Sequence, residues 1–245
     1  MADPDRPDPT FDPPGRTYRF GWGTGSRKLA GPAFPAWQLG RIDAVLLTHD
    51  HHADNLDDAG RALLPSAGVV VTTRSAARRL GGTARGLVPW QRTTLEARSL
   101  PTIEVTATPC RHGPPLSRPL AGEVVGFALR WDGQEHGALW ISGDTVLYGA
   151  PRRVAERLEV GTAILHLGCV RFPVTGPVRY SMTIRDVLEL CEQIRPRIAI
   201  PVHCEGWSHF TEGRDAVQRA ILAAPEEIRQ TFRLLPLGAC VDVGA

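Results

Sequence analysis

The sequence lacks a run of about 18 apolar residues, the length that a membrane-spanning helix needs. Its first stretch, MADPDRPDPTFDPPG, has no apolar segment behind a basic start, so it does not read as a secretory signal. A cytoplasmic location is expected. The five cysteines, at 110, 169, 191, 204 and 240, are odd in number and contain no CxxC pair. That spacing argues against a disulfide framework and for reduced thiols. Lysine is nearly absent: Lys28 is the only one, and no role attaches to it on sequence grounds. The net charge of +2 is too small to point to nucleic acid or anionic lipid as a partner.

What is present suits a folded α/β domain. With 42% hydrophobic residues in 245, there is enough apolar material for a sizeable core. Residues 1–16 hold five prolines and four aspartates and are expected to form an extended arm. Residues 17–245 read as a single domain without linker or repeat. Within it, 21–31 (GWGTGSRKLAG) reads as a flexible loop. Short apolar runs at 42–48, 68–73, 103–109, 124–131, 138–144, 162–168 and 197–203 read as strands. The 183–194 segment has helical periodicity, with Thr183 and Asp186 placed for a capping box. A second helix is expected over 214–223, and Pro225 is placed to start a third. Strands mixed with helices imply a sheet core covered on both faces.

Four of these runs end in metal-ligand side chains. The first runs into LLTHDHHADNLDD (46–58), with His49, Asp50, His51, His52 and Asp54. The others end at His112, Asp144 and His203. Strand ends are where open α/β sheets build their sites, and core packing does not ask for imidazole there. His49 and His51 are two apart, so on an extended chain both rings lie on one side. Neutral imidazole suits zinc, and carboxylates extend such a site to a second divalent ion.

In chain order, THDHHADN (48–55), CRHG (110–113), SGDT (142–145) and PVHCEGW (201–207) resemble the metal motifs of the metallo-β-lactamase superfamily. Those motifs are H-x-H-x-D-H, a downstream His, a bridging Asp and a final His. Within the superfamily, the PVH ending and small size look most like the branch of the ascorbate-phosphate lactonase and the N-acyl-phosphatidylethanolamine phospholipase D. The resemblance implies an αββα four-layer sandwich and two divalent ions, zinc first, with manganese or iron as alternatives. It implies His49, His51 and His112 at the first ion, Asp144 between both, and His203 at the second. The implied activity is attack of a metal-activated hydroxide on an ester, lactone, amide or phosphodiester of a small molecule. A lactonase or phosphodiesterase fits the missing export signal better than a β-lactamase does.

The sequence departs from that pattern at Ala53 and Asp54. With one residue inserted, Asp54 takes the aspartate's role and Asn55 replaces a histidine of the second site. Without the insertion, Asp54 itself stands in the histidine's place. Either way Asp54 is expected at the second ion, as ligand or as acceptor of the water proton. His52 is a further candidate ligand, His209 a candidate partner of a ligand or substrate, and Tyr148 a candidate donor to substrate. Arg171 and Arg179, in a Pro/Gly-rich segment, would suit an anionic substrate. Two other functions stay open: an iron-dependent redox enzyme on the same fold, or a metal-binding relative without turnover. The resemblance also implies a strand pair ahead of 8–15, for which little sequence is available. Its absence would leave a sheet edge open.

Overall fold

The computed structural model describes residues 9–96 and 101–244. In chain order the strands are β1 (Thr17–Gly21), β2 (Thr24–Arg27), β3 (Ala44–Leu46), β4 (Val69–Thr73), β5 (Ala84–Leu87), β6 (Arg92–Leu95), β7 (Ile103–Pro109), β8 (Val125–Arg130), β9 (Ala138–Ile141), β10 (Val160–His166) and β11 (Ile198–Val202). Six of them form one sheet in the order β11-β10-β9-β8-β7-β6. Its β9, β10 and β11 are parallel, and the neighbours from β9 to β6 are antiparallel. Strands β3, β4 and β5 make a smaller parallel sheet.

The period of two along each strand sorts side chains between layers. Val105, Phe127, Leu129, Ile141, Ile164 and Ile200 of the large sheet pack against Val69, Val71 and Leu87 of the small one. The alternate residues Ala128, Trp140, Ala163, Leu165 and Ala199 face the opposite way. They meet Val187, Leu190 and Cys191 of one helix, Ile184–Ile194, and Val217 and Ile221 of another, Arg214–Ala223. Behind the small sheet, Leu47, Leu56, Leu64 and Val70 form a third cluster. The helices there are Asp58–Leu63 and Arg74–Leu80. The result is the expected αββα sandwich. No helix among the described residues is long and apolar enough to cross a membrane.

The capping box is present: Asp186 N–H donates to Thr183 Oγ1 at 3.0 Å, and Thr183 N–H donates to Asp186 Oδ2 at 2.9 Å. The helix after Pro225 is a single turn, Glu226–Arg229. Several elements depart from expectation. The 21–31 segment is not a flexible loop; it supplies the turn and second strand of the β1–β2 hairpin, and Lys28 then bridges to Trp207. Gly21, Trp22 and Gly23 all have positive φ (93, 53 and 76°), which glycine tolerates and which lets the chain reverse within the turn. Strands β5 and β6, and helix Arg74–Leu80, were not expected; their apolar residues are too few to show a period.

The first eight residues of the expected arm lie outside the described residues. From residue 9 on, the arm is docked. Phe11 N–H and Asp12 N–H donate to the two oxygens of Asp57, at 2.9 and 2.7 Å. Asp57 also caps helix Asp58–Leu63 through Gly60 N–H and takes a 2.8 Å ion pair from buried Lys28. One carboxylate thus joins the arm, the hairpin and the helix that follows the histidine cluster.

Candidate metal centre

The loops after β3, β7, β9 and β11 meet at one edge of the sandwich. They deliver two abutting groups of ligand-type side chains. His49, His52 and His112 form one; Asp54, Asp144 and His203 form the other. Within each group the ligand atoms lie within 4.8 Å of one another. Within the second, His203 Nε2 is 3.4 Å from Asp144 Oδ2 and 3.9 Å from Asp54 Oδ2, and the Asp144 carboxylate also feels the imidazoles of His112 and His49 in the first. His49, Asp54, Asp144 and His112 are all buried.

The first group holds His52, and the structure does not bring His51 into it. The same-side argument for His49 and His51 requires an extended chain. Here the chain turns at once, with Asn55 N–H and Leu56 N–H both donating to His52 O, at 3.2 and 2.9 Å. The turn brings the ring of His52 to 5.7 Å from that of His49 and 5.3 Å from that of His112. His51 points outward, its side chain 29% exposed, with Nδ1 3.4 Å from Asp50 Oδ1. Its ring lies over Gly122, where a Cβ would clash. Asp50 is held by a two-pronged Arg79 and is not available to the centre.

Asn55 is also spoken for. Its amide N–H donates to His49 O at 2.6 Å, and its Oδ1 accepts from Thr48 Oγ1 at 3.3 Å. It braces the turn that aims His49 and offers the centre no free atom. His209 meets the centre through Asp54: Nε2 is 2.9 Å from Asp54 Oδ2, and Nδ1 is 2.5 Å from Ser26 Oγ on β2. Tyr148 lies under the guanidinium of Arg111, 4.3 Å from its ring centroid, and burial raises its pKa to about 12.

Backbone carbonyls fix the other rings. His112 Nδ1–H donates to Tyr180 O at 2.6 Å, and His203 Nδ1–H donates to Leu167 O at 3.1 Å. Each bond presents the opposite nitrogen, Nε2, as a lone-pair donor. His203 has φ of +61°, an uncommon conformation for a bulky residue. Gly168 packs beneath it, where a Cβ would strike the His203 carbonyl.

The electrostatics favour ligand forms. Burial, aided by His112, pushes His52 down to about 4, and burial holds His49 well below the usual imidazole range. Both rings are neutral near pH 7. Burial alone would raise Asp144, but the imidazoles of His203, His112 and His49 outweigh it and hold the carboxyl down at about 2. Burial acts likewise on Asp54, and the hydrogen bond from His209 overcomes it, so this carboxyl too lies below its ordinary value.

A model of the β-lactamase superfamily domain matches residues 8–204 of this chain. A metal-dependent hydrolase from Cupriavidus taiwanensis is 27% identical over 183 residues, 67% of this chain and 59% of that protein. The chain thus spans about six-tenths of that relative's length. A possible metal-dependent hydrolase from Veillonella parvula superposes with a TM-score of 0.76 at 20% identity, over 95% of this chain and 89% of the other. An isothiocyanate hydrolase from Delia radicum gut bacteria superposes with a TM-score of 0.73 at 19% identity, over 92% and 86%.

Proposed function

Because the chain belongs to the β-lactamase superfamily, we propose that it is a metal-dependent hydrolase of small molecules, acting on an ester, lactone, amide or phosphodiester bond. One observation carries this reading. His49 Nε2, Asp54 Oδ1 and both oxygens of Asp144 are buried with no hydrogen-bond partner among the described residues. A buried carboxylate with unpaired oxygens costs several kcal/mol unless a cation meets it. The donor set fits that cation. His49, His52 and His112 would hold one divalent ion, for which three imidazoles suit zinc. Asp54, Asp144 and His203 would hold a second, where two carboxylates also admit manganese or iron. Bound ions would supply Lewis acidity at the substrate oxygen and bring the pKa of a water ligand towards ~7.

The chain's own residues do the rest. Asp144 lies against imidazoles of both groups and ties them into one centre. Asp54 keeps Oδ1 open while His209 holds Oδ2, so Oδ1 is the atom placed to take a proton from attacking water. Phe20, Phe172 and Tyr180 line the same cavity as His52, Asp54 and His112 and keep bulk water off that side.

The test is metal analysis of protein purified without chelator, then assay against ester, lactone, amide and phosphodiester panels. Turnover that disappears in Asp144→Ala and His112→Ala is expected. A metal-loaded protein inert towards every panel would overturn the proposal. Bound iron with a coloured protein and no hydrolysis would favour the redox alternative.

A further inference from the structure

A cavity opens over the centre. His52, Asp54 and His112 form part of its lining, and Phe20, Val170, Phe172 and Tyr180 much of the rest. Of the hydroxyls that line it, those of Thr24 and Thr175 are turned to the protein's own backbone. Thr24 Oγ1 donates to Gly21 O at 2.6 Å, and Thr175 Oγ1 donates to Phe172 O at 3.1 Å. No arginine or lysine is among the described residues that line it. Arg179, which the sequence offered to an anion, is instead paired with Asp186 at 3.0 Å. Away from the ion-holding residues, an anionic substituent buried against the aromatic wall would meet no arginine or lysine to offset its desolvation.

At the mouth stands Trp22. It lines the cavity yet is 81% exposed, and it sits at the hairpin turn with φ of +53°. An exposed tryptophan held in the left-handed region is a strained arrangement that packing does not require. Its place over the opening gives it a flat apolar face to lay on whatever enters.

Resting on the hydrolase reading above, we infer that the substrate presents a neutral, apolar group to this cavity, clasped between Trp22 and the phenylalanine wall. A phosphate- or carboxylate-bearing group is excluded from that position.

Two measurements separate this inference from the hydrolase reading. The first is kcat/KM for 4-nitrophenyl acetate, butyrate and hexanoate beside the hydrogen adipate monoester. The neutral series is expected to rise by about threefold per added methylene until the cavity fills. The adipate, with a carboxylate at the hexanoate's length, is expected to fall at least tenfold below the hexanoate. In Trp22→Ala the chain-length gain is expected to flatten. The second measurement needs no turnover. Binding of neutral 4-phenyl-2-butanone to the protein as purified is followed by tryptophan fluorescence and compared with the same ketone carrying a para-carboxylate. Tighter binding of the neutral ketone, weakened in Trp22→Ala, supports the inference even if no ester is hydrolysed. Equal or tighter binding of the carboxylate, or equal or faster adipate hydrolysis, overturns it. An absence of ketone binding in a protein that does hydrolyse esters also overturns it and leaves the hydrolase reading intact.

Discussion

His209 Nε2 lies 2.9 Å from Asp54 Oδ2, and the same ring's Nδ1 lies 2.5 Å from Ser26 Oγ. A hairpin near the start of the chain thereby reaches Asp54, proposed above to hold the second ion, through one imidazole. Partners of metal ligands of this kind set affinity by fixing the ligand's orientation. His209→Phe is expected to lower affinity for the second ion about 10–100-fold and leave the first in place. Titration calorimetry on protein holding one equivalent of zinc reads this directly. His209→Gln, which can still donate to Asp54, is expected to recover part of the loss. Unchanged affinity in the phenylalanine variant would remove His209 from the centre.

His51 and His52 make opposite predictions. His52→Ala is expected to cost the first ion, while His51→Ala retains both ions. Elemental analysis of the two purified variants distinguishes them. Loss of metal from the His51 variant would mean that the 49–55 turn rearranges when ions bind.

Asn55 is a brace, so its removal is a stability defect. Asn55→Ala leaves His49 O and Thr48 Oγ1 without this partner in a buried turn. The expected loss is about 1–3 kcal/mol in urea unfolding, with metal stoichiometry unchanged.

The Lys28–Asp57 pair is buried on both sides, at 2.8 Å. Lys28→Met would strand a carboxylate among the arm, the hairpin and a helix cap. A cost of about 3–5 kcal/mol is expected, from the denaturant midpoint at constant m-value.

Acid should release the arm by way of Asp12. Burial opposes ionisation there, but Tyr18 O–H, Ala59 N–H and Arg16 outweigh it, so the folded pKa lies below 3.8. Between the two values the unfolded chain binds the extra proton, so stability rises with pH. The contribution is present above about pH 4 and is lost as pH falls through the lowered folded value. Wild-type urea midpoints should drop across that window. Asp12→Asn, weaker at neutral pH, should show a flatter profile.

The sandwich was legible because its signals are local. Apolar runs such as Val69–Thr73 and Val160–His166 show where sheets form, and the Thr183–Asp186 pair marks a helix start. The gathering of His112, Asp144 and His203 at strand ends was equally visible, since each follows its strand directly. The identity of the second imidazole was not. It depends on whether the chain is extended or turned after Thr48, and the deciding bonds to His52 O are backbone bonds with no side-chain signature. His209 was only a candidate because its partners lie 155 and 183 residues away in the chain. The hairpin was hidden by its glycines, which mark both loops and tight turns. Lys28 carried no signal at all, because a lone lysine is ordinarily a solvated one.

That lysine has a practical consequence. With its ammonium enclosed by Asp57 and lying 5.5 Å from the ring of Trp207, the folded protein presents no side-chain primary amine to solvent. Succinimidyl esters and reductive methylation should leave Lys28 untouched in the folded protein. Acylation of Lys28 would then record the opening of the arm and hairpin, giving a built-in chemical clock for local unfolding at the edge of the centre.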